Sequence, residues 1–133
     1  MSAIPDVVDN NRDAGVVEEV CGYLTEDPPH SYFLFAGAGS GKTRTLVEVL
    51  RRMTGVVEHE KGSRLARHLR MYGRSIRVIT YTKNAVAVIR GRLGDNDLVC
   101  VSTIHAFCWE LISGFNDDIR TALIALKEAQ LEK

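Results

Sequence analysis

The sequence predicts an α/β fold with a parallel sheet, and three observations carry that prediction. An apolar run at 31–36 leads into a glycine-rich loop at 37–41, which opens a helix-spaced segment at 42–53. Apolar runs of strand length recur at 76–80 and 98–101. Helix-spaced segments follow both, and such alternation is what a parallel sheet covered by helices requires.

Each element has its own local reason. Val16, Val17, Val20, Cys21 and Leu24 form a stripe at helical spacing over 11–25, stopped by Glu26, Asp27, Pro28 and Pro29. The run SYFLFA at 31–36 has the near-continuous apolar character of a buried parallel strand. Leu46, Val49, Leu50 and Met53 define one side of the helix at 42–53, and Gly55 breaks it. Residues 58–73 are charged, with Leu65, Leu69 and Tyr72 as a thin apolar stripe, which predicts a mobile basic helix. A helix at 85–93 closes at Gly94. A helix at 104–112 starts after Ser102 and Thr103 and ends at Gly114, and Asp117 is placed to cap a last helix at 118–131.

Composition excludes several classes. The chain has 133 residues, enough for one domain and too few for two. Apolar residues make up 45% and charged residues 26%, which rules out a disordered chain. No apolar run approaches the ~18 residues of a membrane span. The N-terminus carries Asp6, Asp9 and Asp13 and lacks the basic start of a secretory signal. Cys21, Cys100 and Cys108 are few and odd in number, as expected of a reduced, cytoplasmic protein. Cys100, His105 and Cys108 lie close in sequence but lack a fourth ligand, so packing is the reading taken for them rather than zinc.

The formal net charge is zero, yet it is unevenly spread. Residues 1–35 hold seven acids and one base, whereas 61–94 hold nine bases and no acid. That split predicts a basic face for a polyanion, or a solvated helix surface paired with the acidic N-terminal segment.

The sharpest motif is Ala36, Gly37, Ala38, Gly39, Ser40, Gly41, Lys42, Thr43, which fits [AG]-x4-G-K-[ST] between a strand and a helix. Its glycines let the backbone curl with N–H groups pointing inward, and those donors cradle phosphate oxygens with the helix N-terminus. Lys42 is placed to reach the β- and γ-phosphates, and the Thr43 hydroxyl to bind Mg²⁺. Arg44 follows as a further nucleotide contact or an exposed helix residue.

Two further segments repeat one design. Thr80, Tyr81 and Thr82 close a strand, and Ser102, Thr103, Ile104, His105, Ala106 and Phe107 follow another. Ligands of open α/β sheets bind at the C-terminal ends of strands, where hydroxyls suit phosphate contacts and aromatics suit base stacking. Taken singly, Phe107 reads as core and His105 as structural.

Together the three segments resemble the N-terminal part of UvrD-like superfamily 1 helicases. AGAGSGKT is similar to that family's motif I, ITYTKNA to its motif Ia and VSTIHAFC to its motif Ib. The resemblance covers roughly 30–115, and 31–50 is especially similar to UvrD-like helicases of bacterial chromosomes and mobile elements. It implies a partial N-terminal RecA-like ATP-binding domain: N-terminal helix 1–30, phosphate-loop unit 31–53, basic insert 54–75, motifs Ia and Ib within 76–116, and C-terminal helix 117–133. It also implies ATP and Mg²⁺ as cofactors, with Lys42 and Thr43 in the phosphate and metal roles. Single-stranded DNA is the implied partner, met by Thr80, Tyr81, Thr82, Thr103, His105 and Phe107. The complete protein would translocate on that strand and unwind duplex.

The family's acidic motif II, an apolar strand ending in Asp-Glu, has no counterpart among the 133 residues. Its arginine fingers belong to a second RecA-like domain, which is expected among the partners as the remainder of the helicase. This chain alone is therefore expected to hydrolyse little ATP. Two other readings stay open at this point. One is a small P-loop phosphotransferase using 61–77 as a basic lid, and the other is a non-catalytic DNA-binding remnant.

Overall fold

The computed structural model describes residues 10–35, 37 and 41–131, the side chains of 10–13 excepted. The elements in chain order are α1 (Asn10–Thr25), α2 (Lys42–Met53), α3 (Glu60–Met71), β1 (Ile76–Thr80), α4 (Lys83–Leu93), β2 (Val99–Thr103), α5 (Ile104–Ile112) and α6 (Asn116–Leu131). β1 and β2 form a parallel two-stranded sheet running from the pair Ile76↔Val99 to the pair Thr80↔Thr103.

α2 is the central helix because it has two apolar faces. Val47 and Leu50 pack with Val78 of β1, Val101 of β2, and Ile89 and Leu93 of α4. Val49 and Met53 point the other way, onto Val17, Val20 and Cys21 of α1. The i, i+3, i+4 spacing on each helix produces these faces. Burial pushes the Cys21 thiol above its ordinary range, so it behaves as a small core hydrophobe.

The two faces of the sheet are covered by different helices. Val78 and Val101 face α2 and α4. Strand parity turns Arg77 to the opposite face, where it meets Glu110 and Phe107 of α5. α5 and α6 contain no buried residue, and Trp109, Leu111, Leu123 and Leu126 remain exposed.

The direction of α2 is fixed at its far end. Thr54, buried, donates its hydroxyl to the Leu50 carbonyl at 2.7 Å and accepts from the Asn96 amide at 2.9 Å. The Asn96 side-chain oxygen in turn accepts from Leu98 N at 3.1 Å, just before β2. The C-terminal end of α2 thus sits beside the beginnings of the strands, and its Lys42 end points toward the edge where they finish.

Two expectations are corrected. Residues 31–35 carry no strand, and Phe33 and Phe35 are 81% and 89% exposed. A strand exists only through its ladder partner, and β1 and β2 pair with one another while neither pairs with this segment. The apolar run predicts burial but names no partner. The basic stretch 61–94 is likewise not one face. Arg77 turns to α5, Arg90 donates to the Val101 carbonyl at 2.7 Å, and Arg70 pairs with Asp97 at 3.5 Å, next to the start of β2. The acidic Glu18 pairs with Arg52 and His59 instead of with that stretch.

Other boundaries shift slightly. α4 starts at Lys83 because the Thr82 side chain caps it, and Gly94 at φ +69° ends it. α6 starts at Asn116, which puts Asp117 inside its first turn. No helix among the described residues is long and apolar enough to cross a membrane.

Candidate functional site

β1 and β2 finish side by side, and both strand ends are converted into helices by the same device. Thr82 Oγ1 accepts from Ala85 N at 3.1 Å and so caps α4. Thr103 Oγ1 accepts from Ala106 N at 3.3 Å and so caps α5. A threonine at this position satisfies one of the N–H groups that a helix start leaves unpaired. Thr80, the register partner of Thr103, donates its hydroxyl to the Thr82 carbonyl at 3.0 Å and stiffens the first turn. The two segments, separated in sequence by a strand and a helix, therefore meet along one edge of the sheet.

Tyr81 stands between Thr80 and Thr82 with 85% of its surface exposed. His105 is exposed on the first turn of α5. Phe107 points elsewhere: its ring is half-buried beneath the Arg77 guanidinium, 5.2 Å from the ring centre. Arg77 also forks onto Glu110, with Nη2 donating to Oε1 at 2.9 Å and Nη1 to Oε2. Hydrogen bonds from Arg77 hold the Glu110 carboxyl below the usual carboxylate range.

Ser102 entered the sequence reading only as one of two hydroxyls at the end of a strand. Its hydroxyl oxygen is buried and has no hydrogen-bond partner among the described residues. With Lys83, Arg90 and Thr103 it lines a cavity of about 370 Å³ between α4, β2 and α5. Its only sequence signal was its place in the Ser102-Thr103 pair.

The phosphate-loop motif is described in part. Ala36, Ala38, Gly39 and Ser40 lie outside the described residues, and Gly37 is exposed. Gly41 precedes α2 with φ +80°, a left-handed conformation open to glycine at no steric cost. Lys42, Thr43 and Arg44 form the exposed first turn of α2. That helix start has no acid in its first turn, so its positive dipole end favours an anion. The residues present thus fit a phosphate group. No cluster of three or more His, Cys, Asp or Glu placed to hold a metal ion occurs among the described residues, Cys100, His105 and Cys108 included.

Comparison with known proteins adds the family. The model of the UvrD/REP helicase N-terminal domain matches residues 24–131. The chain is similar to the Gabija protein GajB of Bacillus cereus (strain HuB5-5), 37% identical over 97 residues. That match takes in 73% of this chain and 12% of the relative, so the chain spans about an eighth of that protein's length. No solved structure matches.

Proposed function

This chain belongs to the UvrD/REP helicase N-terminal domain family, and from that premise we propose that it is the ATP-binding segment of a helicase that moves along single-stranded DNA. The carrying observation is the registered pair Thr80↔Thr103, which joins two capped strand-to-helix turns into one hydroxyl-lined edge. Lys42 opens α2 from the same side of the domain.

Each residue has a role under this reading. Lys42 and the first N–H groups of α2 hold phosphate oxygens, helped by the backbone of Gly37 and Gly41. Thr43 offers its hydroxyl to Mg²⁺, and Arg44 lies within the same turn. Bound Mg-ATP supplies the phosphoryl group whose loss drives movement. Tyr81 stacks on a base of the strand, and Thr80, Thr82 and Thr103 line the phosphate path with His105. Lys83 extends that path into the cavity beside α4. Phe107 contributes indirectly, by packing under Arg77 and fixing the angle of α5.

Hydrolysis needs an acid that holds Mg²⁺ and orients water, and positive charge on the transferred group. Among the described residues no strand ends in paired acids. The chain alone therefore binds nucleotide without rapid turnover, and the remainder of a helicase, with a second RecA-like domain, is its functional partner. DNA-stimulated ATPase should appear only when that remainder is supplied. Turnover by the chain alone, unaffected by DNA, would instead favour the phosphotransferase reading. The position of α3 speaks against that reading, because a lid must close over the phosphate loop and α3 follows the opposite end of α2.

A further inference from the structure

The geometry points to α3 as a second nucleic-acid surface, one that takes the backbone of duplex DNA at the end of the domain opposite the ATP and single-strand edge. Lys61, Arg64, Arg67 and Arg70 lie on α3 and Arg74 follows it, all exposed. Lys61, Arg67 and Arg74 have no ion-pair partner among the described residues. Arg64 reaches the neighbouring Glu60 at 2.6 Å, and Arg70 reaches Asp97 at 3.5 Å. Exposed pairs of this kind contribute little and exchange readily for phosphate.

Packing and topology set the place of this surface. α3 follows the far end of α2, packs against α1 and α2, and leads into the first residue of β1. Local hydrogen bonds shape both of its ends. His59 Nδ1 accepts from Gly62 N at 3.0 Å, and a side chain at Gly62 would put its Cβ 2.0 Å from the Arg52 carbonyl oxygen. At the other end Arg74 N donates to the Leu69 carbonyl at 2.8 Å. Leu65 packs against the α1–α2 core and Ala66 is buried. The basic side chains therefore project from a helix packed on the α1–α2 core.

Charge and shape favour duplex over the alternatives. Lys61, Arg64 and Arg67 recur at about one helical turn, roughly 5–6 Å apart. A duplex presents a charge every ~1.7 Å of axis, twice the density of one strand, and phosphate contacts alone are enough for sequence-independent binding. Single-strand binding uses successive aromatic platforms, and α3 itself carries no Phe, Tyr or Trp; Tyr72 follows it, 61% exposed beside His68. A membrane surface requires a broad apolar face on the same helix, and the outward face of α3 is mostly Arg and Lys.

The test is fluorescence anisotropy of a short labelled duplex and of labelled oligo-dT, each titrated with the chain over about 50–200 mM salt. The Arg64→Ala/Arg67→Ala/Arg74→Ala variant is expected to lose duplex affinity and to flatten the slope of log K against log salt by about 2.7, at ~0.9 per phosphate. Its oligo-dT binding stays unchanged, and lysine at the same three positions restores duplex binding. Tyr81→Ala shows the reverse pattern, with oligo-dT weakened and duplex kept. An unchanged duplex slope in the alanine variant overturns the proposal. So does an equal loss of oligo-dT binding, which would make α3 part of the single-strand path. Poly-glutamate bound to α3 as tightly as the duplex would also overturn it, in favour of an acidic protein partner. If oligo-dT does not bind at all while duplex binding still depends on α3, the single-strand reading falls and this one stands.

Discussion

Arg77 of β1 and Glu110 of α5 form a two-pronged ion pair that fastens α5 to the sheet, with the Phe107 ring held under the guanidinium. α5 has no buried residue, so this polar contact and the Phe107 stack carry much of its attachment. The Glu110 carboxyl is held below its ordinary value, first by the hydrogen bonds from Arg77 and then by its charge. A depressed folded pKa gives stability that is present above the unfolded value of about 4.3 and is lost as pH falls through the folded one. A carbon-detected NMR titration should therefore show Glu110 titrating below ordinary glutamates. In Arg77→Gln the midpoint should return to the ordinary range, and an unchanged midpoint would mean the pair does not persist in solution.

Two glycines should respond to alanine with opposite signs. At Gly62 the added Cβ falls 2.0 Å from the Arg52 carbonyl oxygen, a backbone atom that cannot swing aside. Gly62→Ala should cost about 1–3 kcal/mol, the range for overpacking. Gly91 lies in α4 with nothing within 4 Å of its would-be Cβ. Gly91→Ala should stabilise by about 0.5–1 kcal/mol through helix propensity. Urea midpoints of the two variants, measured side by side, check both signs.

Thr54 and Asn96 should be coupled. Their hydrogen bond joins the end of α2 to the start of β2, and Thr54 is buried. Thr54→Val removes a hydroxyl that both donates and accepts, at an expected cost of about 1–3 kcal/mol. A double-mutant cycle with Asn96→Ala should return an interaction energy of at least about 0.5 kcal/mol. Strict additivity would show that the two ends are held independently.

Tyr81 should matter for DNA and not for nucleotide. Its ring is exposed at the strand edge, so Tyr81→Ala removes a stacking platform without disturbing the core. The expected loss in oligo-dT affinity is about 1–3 kcal/mol, the range for one stacked base. Equal binding of Mg-ATP by the variant and the parent chain would confirm that the two sites are separable.

The helices were legible in the sequence because their apolar spacing repeats over several turns, and Val17 and Val20 lie where that spacing puts them; on α2 the single side read from Leu46, Val49, Leu50 and Met53 is two faces, because Leu50 turns to the sheet with Val47 while Val49 and Met53 turn to α1. Thr103 was legible as a helix start for a similar local reason. The apolar run at 31–36 misled, because it suggests a strand while leaving the pairing partner open, and 31–35 pair with neither β1 nor β2. The Arg77–Glu110 pair was not legible either, since it joins residues 33 positions apart that only the parallel register and α5 bring together. The basic stretch misled because charge was summed along the chain. Strand parity and the path of α3 distribute Arg70, Arg77 and Arg90 to three different surroundings. Ser102 was legible only as one of a hydroxyl pair; that its oxygen is buried without a partner among the described residues is visible only in three dimensions.

The central claim is that the segment opening α2 holds the phosphates of ATP. Equilibrium titration of the chain and of Lys42→Ala with a fluorescent Mg-ATP analogue tests it most directly. A charge-assisted hydrogen bond to phosphate contributes about 1.5–3 kcal/mol, so Lys42→Ala should bind about 10–100-fold more weakly while keeping its duplex binding. Equal nucleotide affinity in the two proteins, or no Mg-ATP binding by the parent chain at millimolar nucleotide, would contradict the account.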